Sequence, residues 1–204
     1  MTTTLYAFDN DYRKAGYKTI VGIDEAGRGP LAGPVVAAAV ALNPAFEIDG
    51  IDDSKRLTAA KRKHLFYEIL YNALSIGVGI VDAHEIDRIN ILNATRLAMS
   101  EAVSDLSPDI LLIDALKLPT VTCEQVSIIK GDTKSASIAA ASIIAKVLRD
   151  SIMLTFHEKY PQYNFISHKG YGTREHVENI NAYGPCDIHR KTFAPVSVLK
   201  LQFQ

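Results

Sequence analysis

At 204 residues, 48% of them apolar and 22% charged, the chain can bury one full-sized core and lacks the polar bias of a disordered one. Its net charge of −1 supplies no global pull toward a polyanion. No apolar run approaches the ~18 residues of a membrane span and the first residues carry no secretory leader pattern, so a cytoplasmic location is expected.

In chain order, β-rich apolar segments run from Thr19 to Ile23 and from Val35 to Leu42. Thr58 reads as the N-cap of a helix through AAKRKHLFYEILYNAL, and a strand follows from Ser75 to Val81. One helix is expected from about Ala83 through EIDRINILNATRLAMSEAVSDL, interrupted by Pro108. Strands at Ile110 to Ile113 and Val126 to Ile129 precede a very apolar helix that starts near Ser135 and is stopped by Pro161. The tail from Asn164 to Gln204 is dotted with Gly, Pro and Tyr and holds a short helix around Thr173 to Asn181. This order predicts an α/β layered domain, a mixed sheet flanked by helices, over residues 1–160, with a small helical C-terminal segment over 161–204. Cys123 and Cys186 sit in no CxxC spacing and no nucleophile motif, so both are expected to be reduced and structural.

Charge is unevenly divided. Residues 1–110 hold eleven Lys/Arg against fifteen Asp/Glu, whereas residues 111–204 hold eleven against eight. An acidic cluster facing a basic portion suits a metal site beside a polyanion groove, and ordinary surface scatter explains the split as well.

Three acids share one context, an apolar strand followed by a carboxylate: IVGI before Asp24, ILLI before Asp114 and VSIIKG before Asp132. If the first two strands are parallel neighbours, their C-terminal ends meet at one crevice. Glu25 adds a fourth carboxylate. Adjacent strand residues point to opposite faces, so Asp24 and Glu25 are expected to share a site only where the strand ends and the Gly27 and Gly29 loop turns the backbone. Clustered carboxylates raise one another's pKa unless a proton or cations intervene. An all-oxygen donor set favours Mg²⁺ or Mn²⁺ over zinc. Two such ions roughly 3.5–4 Å apart suit phosphodiester hydrolysis.

In SASIAAASIIAKVLRD, residues Ser135, Ser142 and Lys146 lie at offsets of 0, 7 and 11, within about 40° of one another on a helix. The stripe is expected to face the same site, with Ser142 and Lys146 meeting a phosphate; alternatively Lys146 snorkels to the surface. Ser54, Lys55 and Arg56, after Asp52 and Asp53, read as a phosphate-contacting or a solvated loop, and Lys61, Arg62, Lys63 and His64 as a solvated face.

The motifs GIDEAGRGPLAGPVVAAAV, DDSKRLT, EIDRINILNATRLAM, LLIDALKLP, KGDTKSASIAAASIIAKVLRDSIM, YPQYNFISHKGYGTREH and HRKTFAPV, in this order, make the chain resemble the ribonuclease HII (type 2 ribonuclease H) family from about Tyr17 to Val196. The resemblance implies a ribonuclease H-like fold. It also implies an endonuclease that cuts the RNA strand of RNA/DNA hybrids and cuts 5′ of single ribonucleotides in duplex DNA, leaving 3′-OH and 5′-phosphate. Carried over by position, Asp24, Glu25, Asp114 and Asp132 would bind the metals, with Asp24 nearest both. Gly27, Arg28 and Gly29 would bring their backbone to the ribose 2′-OH, and Tyr171 would sense that hydroxyl and stack on the next sugar. By themselves the GRG reads as a tight turn and Tyr171 as a partly buried aromatic. His168, His176 and His189 are assigned no metal.

Two positions depart from the family. Ala115 stands where Gly is common after the third carboxylate, which puts the local turn in doubt, and Arg56 stands where Lys is frequent. The rival readings are a related-fold, metal-dependent DNA nuclease or strand-transfer enzyme, and a nucleic-acid-binding module without turnover. The chain is expected to be a monomer, and the ending VSVLKLQFQ supplies no secure partner motif, so a replication-protein partner stays open.

Overall fold

The computed structural model describes residues 4–199; the last five residues of VSVLKLQFQ lie outside them. In chain order the elements are α1 (Thr4–Lys14), β1 (Ile20–Ala26), β2 (Val35–Leu42), α2 (Ala59–Asn72), β3 (Ala73–Val81), α3 (Ala83–Ile89), α4 (Ile91–Val103), β4 (Ile110–Asp114), β5 (Glu124–Ile128), α5 (Ala136–Lys159), α6 (Phe165–His168), α7 (Arg174–Tyr183) and α8 (Val196–Leu199). Short 3₁₀ turns cover Gly131–Thr133 and Pro161–Tyr163. Among the described residues no helix is long and apolar enough to cross a membrane.

The five strands form one mixed sheet in the order β3-β2-β1-β4-β5. β1 pairs antiparallel with β2 and parallel with β4, so the strand order reverses beside β1. β2 is buried along its whole length, and its alternate residues feed two cores. Ala38, Val40 and Leu42 pack with Leu65 and Ile69 of α2 and the alanines and isoleucines of α5. Val35, Ala37, Ala39 and Ala41 pack with Ile86 of α3 and Ala98 and Met99 of α4.

Small residues let the layers approach. A Cβ on Gly22 of β1 would lie 2.1 Å from the main chain of Ser137, so α5 rests directly on the middle of the sheet. Helix α1, which periodicity and capping signals did not announce, locks that contact. Its fully buried Asp9 accepts hydrogen bonds from Ser137 N–H (2.8 Å) and Ser137 Oγ (2.6 Å) in the first turn of α5.

Several boundaries differ from the sequence reading. The single helix expected from Ala83 is two helices, broken at Asn90, whose φ of 67° leaves the helical range. The Asn90 side chain then caps the second helix by accepting from the N–H groups of Leu92 and Asn93, a role asparagine fills well. The helix after Thr58 stops at Asn72, because residues from Ala73 onward pair with β2. β1 runs on to Ala26 rather than ending at Ile23.

Beyond α5, the C-terminal segment packs Tyr163, Phe165, Ile180 and Val196 around Met153 and Leu31. Two neutral histidines tie this segment together. Cys186 N–H donates to His189 Nδ1 (3.0 Å), His189 Nε2 meets His176 Nε2 at 3.1 Å, and His176 Nδ1 meets Tyr171 O at 2.9 Å. Only one set of tautomers satisfies the chain: His189 donates through Nε2 and His176 through Nδ1. His168 stacks on His176 with centroids 4.4 Å apart and accepts the Gly170 N–H at Nδ1. Burial, and secondarily the neighbouring imidazoles, push His176 down to about 4 and His189 down to about 3.

Ala115, directly after β4, adopts φ 53° despite its methyl group, a conformation that costs an L-residue roughly 1–2 kcal/mol. Ala115→Gly is expected to raise stability by about 1 kcal/mol, partly offset by glycine's freer unfolded chain, and Tm by about 2–4 °C in a calorimetric scan. Unfolded imidazoles titrate near 6.5, above the folded values of His176 and His189, so the unfolded state takes up more protons as pH falls through this window. Stability is therefore whole above about pH 6.5 and declines toward pH 4, by up to about 2 kcal/mol per imidazole at pH 5. Circular-dichroism melts at pH 7 and pH 5 check this, and the paired His176→Gln/His189→Gln variant is expected to show a flatter dependence.

Candidate active site

The parallel register of β1 and β4 sets Asp24 beside Asp114. Gly22 is level with Leu112, so two residues further along, Asp24 is level with Asp114 on neighbouring strands, whose spacing is about 4.8 Å. Both lie on the face covered by α5, since Ile20, Ile110 and Leu112, of the same parity, pack on Ile138. Asp132, in the 3₁₀ turn just before α5, is delivered to that face by the docking of the helix. Asp114 is anchored by the Gly131 N–H, which donates to its Oδ1 at 2.8 Å.

Glu25 arrives differently from the sequence reading. It lies inside β1, paired with Ala37, so no strand end brings it to Asp24. Instead β4 pairing stops at Ile23, leaving that edge of β1 open where both carboxylates stand. Glu25 N–H donates to Asp24 Oδ1 at 2.8 Å, and Arg28 Nη1 approaches Glu25 Oε1 at 3.4 Å. The other Glu25 oxygen, Oε2, is buried with no hydrogen-bond partner among the described residues.

These acids are costly neighbours. Burial, followed by the charges of Glu25 and Asp114 and then Asp132, holds Asp24 well above the ordinary carboxylate range. Burial raises Glu25, with Arg28 opposing and Asp114 adding to it. Burial also raises Asp132, with Asp53 adding to it and Lys55 opposing. Lys55 Nζ lies 3.8 Å from Asp132 Oδ2; burial pulls this amine down, but Asp24, Asp132, Asp53 and Asp114 together hold it above its usual value. Among the described residues no three His, Cys, Asp or Glu side chains converge as a closed single-ion cage requires.

Asp24 and Glu25 form one wall of a crevice of about 440 Å³ whose other walls are Gly27, Arg28, Gly29, Ser54, Lys55, Arg62, Lys146 and Tyr171. Of the polar stripe expected on α5, only Lys146 lines it, paired with Asp150 at 2.7 Å. Ser135 is committed as the N-cap of α5, accepting from Ile138 N–H. Ser142 is buried: its Oγ donates to Ala139 O and accepts the Ser54 N–H, so it supports the Ser54 loop rather than facing the crevice. Arg62 leaves the expected solvated face, because its guanidinium donates to Ser54 O and Leu57 O and ties down the same loop; Lys61, Lys63 and His64 are not so engaged and stay toward solvent. Arg56 points outward and pairs with Asp52 at 3.2 Å.

Tyr171, half exposed, faces Gly29: a Cβ built on that glycine would lie 3.9 Å from its ring. Gly27 has φ +103° and a Cβ there would strike Arg149 at 2.2 Å, so this turn requires glycine. Sequence reading missed the reason, two buried arginines. Arg149 donates to Pro34 O, Lys169 O and Ala32 O, joining the loop after β1 to the one that carries Tyr171, and its guanidinium lies 5.8 Å from the Tyr171 ring centroid. Arg190 reaches the same loop from the C-terminal segment. An arginine following the apolar first half of α5 was the available signal for Arg149.

A family model described as Ribonuclease HII matches residues 21–196. The chain is 58% identical over 188 residues to the ribonuclease HII of Acetivibrio thermocellus, covering 91% of this chain and 73% of that one. It superposes on the ribonuclease H2 of Pyrococcus horikoshii with a TM-score of 0.75 at 26% identity, over 91% of this chain and 99% of that one. The ribonuclease HII of Archaeoglobus fulgidus, solved in complex with PCNA, gives a TM-score of 0.73 at 27% identity over 86% and 95% of the two chains. The helix-flanked mixed sheet is thus the ribonuclease H-like fold, and the chain belongs to the ribonuclease HII family: it is a ribonuclease H, a hydrolase of phosphodiester bonds.

Proposed function

We propose that the crevice cuts the RNA strand of RNA/DNA hybrids and the 5′ side of a single ribonucleotide in duplex DNA, leaving 3′-OH and 5′-phosphate, with two divalent cations held by Asp24, Glu25, Asp114 and Asp132. The observation that carries this reading is one wall of crowded, raised-pKa carboxylates facing another wall on which Gly29 and Tyr171 meet.

The residues fit a hard cation. Every donor is oxygen, Glu25 Oε2 is buried without a partner, and the mutual repulsion on Asp24 is the kind that positive charge relieves. Mg²⁺ and Mn²⁺ both suit such a set. Mg²⁺ keeps several waters and takes one or two carboxylates plus phosphate oxygens, so it needs no closed cage of protein ligands. When bound, such a pair supplies a stronger nucleophile from water and offsets charge on the leaving oxygen.

The chain's own residues do the rest. The register of β1 and β4 fixes Asp24 and Asp114 as a rigid pair, and the Gly131 amide orients Asp114. Lys55 and Lys146 place positive charge where a phosphate backbone would lie, so the strand is held by charge without reading sequence. Only the 2′-OH separates RNA from DNA at one nucleotide, so the selective element must touch the sugar. Exposed Gly29, with no Cβ to exclude it, and the Tyr171 ring edge are placed for that.

Asp24→Asn and Asp132→Asn are each expected to keep the fold by circular dichroism and to lower hybrid cleavage by about 10³-fold or more, equivalent to roughly 4 kcal/mol in the barrier. Undiminished turnover by either purified variant would remove the carboxylates from the mechanism. Tyr171→Ala is expected to slow cutting at a lone ribonucleotide by about tenfold or more while leaving Tm nearly unchanged, since the ring is half exposed. Equal rates for variant and parent on that substrate would show that the ring does not sense the sugar.

A further inference from the structure

We propose that Arg190 is a positioning residue for ribose recognition: by holding the carbonyls of Gly27, Arg28 and Gly33, it turns the N–H groups of Arg28 and Gly29 into the crevice. This role rests on the proposed ribose-sensing function of the crevice and deepens it.

Arg190 is fully buried, and every hydrogen bond it makes among the described residues goes to the main chain. Nε donates to Gly33 O at 3.0 Å, Nη1 to Arg28 O at 2.9 Å, and Nη2 to Gly27 O at 2.5 Å and Gly33 O at 2.9 Å. No carboxylate among the described residues pairs with it: Asp87, whose charge it feels, accepts instead from Lys191 N–H and from the N–H and Oγ1 of Thr192. A second buried cation, Arg149, adds repulsion, and burial followed by that repulsion pulls Arg190 down to about 9. A buried cation without a counter-charge is a large penalty in a fold. Its fork of donors is matched here to three carbonyls of one loop, a task a lysine ammonium cannot perform with the same geometry.

The orientation of the loop amides is set by the planar trans peptide. Across each such unit the C=O of one residue and the N–H of the next point in opposite directions. With Gly27 O and Arg28 O drawn toward Arg190 in the interior, the N–H groups of Arg28 and Gly29 face away from it. Both residues are exposed and line the crevice, and neither N–H finds an acceptor among the described residues. Gly29 also faces the Tyr171 ring. Two oriented, unclaimed donors beside an aromatic hydroxyl suit a sugar oxygen that DNA lacks.

A residue that only stabilised the fold would weaken binding to every duplex alike; a positioning residue changes the preference between them. The test uses the full chain and two DNA duplexes of one sequence, one containing a single ribonucleotide, with binding measured in EDTA so that neither is cut. The parent chain is expected to prefer the ribonucleotide-containing duplex. Arg190→Lys is expected to lose about tenfold of that preference while binding the all-DNA duplex within about twofold of the parent. Full preference in folded Arg190→Lys, with Tyr171→Ala reducing it, overturns this proposal and leaves the ribose reading standing. No preference in the parent overturns both. Should Arg190→Lys fail to fold, the amide NMR signals of Arg28 and Gly29 in the parent chain decide the matter. They are expected to shift with the ribonucleotide-containing duplex and much less with all-DNA duplex, and equal responses to the two overturn the proposal.

Discussion

The constraint on which the rest depends is the register between two parallel strands. With Gly22 level with Leu112, Asp24 must stand level with Asp114, and both must face the helix that covers that side of the sheet. A one-residue slip would turn one of them to the opposite layer. Register is fixed by burial on both faces, since Ile20 and Ile110 feed one core while Val21, Ile23, Leu111 and Ile113 feed the other. The third acid depends on the same arrangement from a different direction. Because Gly22 lacks a Cβ, α5 settles on the strand, and the turn carrying Asp132 comes down beside the pair. A repulsive cluster is thereby imposed by apolar packing, which has no tendency to relieve it.

The region around this cluster is built against local preference, and each violation serves a neighbour. Asp24 is buried among like charges, Arg149 and Arg190 are buried with no salt-bridge partner among the described residues, and Ala115 takes a left-handed conformation. Elsewhere the fold obeys ordinary rules: β2 is a fully buried apolar strand, and Thr58, Asp82 and Thr173 cap their helices with side-chain oxygens. Departures from consistency concentrate where function requires a fixed geometry that packing alone would not choose. The two arginines also do not neutralise the acids. Arg149 and Arg190 give their donors to backbone carbonyls rather than to the carboxylates.

Much of this was legible in the sequence, because strand hydrophobicity is a local signal; of the acids expected at strand ends, Asp114 ends β4, whereas Asp24 lies inside β1 and Asp132 in the 3₁₀ turn after β5. The five strands were placed, and the Thr58 cap was readable from its side-chain chemistry. The features that stayed hidden depended on partners distant along the chain. Helix α1 is held by Tyr6 and Asp9, whose partners are Ile48 and Ser137, so nothing in its own eleven residues announced the docking. The break at Asn90 lay inside an unbroken helical pattern, because an asparagine can bend the chain and also cap the next helix with its own side chain. Ser142 was read correctly as a polar residue on an apolar helix, but its hydroxyl meets another loop, a distinction that periodicity cannot make. Glu25 reached Asp24 by a route the alternation rule disfavoured, because the missing β4 partner beyond Ile23 opened the strand edge.

Under the proposed function, one crevice carries opposite requirements. A polyanion must approach a wall of carboxylates, which a net charge of −1 does nothing to encourage. Lys55 meets part of the difficulty, since its ammonium sits 3.8 Å from Asp132 while remaining exposed, and Lys146 and Arg62 add positive charge along the crevice. These long side chains can follow a phosphate backbone without selecting its sugar. The opposite wall offers backbone amides and an aromatic ring, groups with little charge but fixed direction. Under the proposed function, attraction and discrimination fall to different surfaces: flexible cations would gather any nucleic acid strand, and directed neutral donors would sort it. Such a division demands that the sorting wall not move with the strand, and the buried arginines beneath it meet that demand by tying the loop after β1 to α5 and to the C-terminal segment at once.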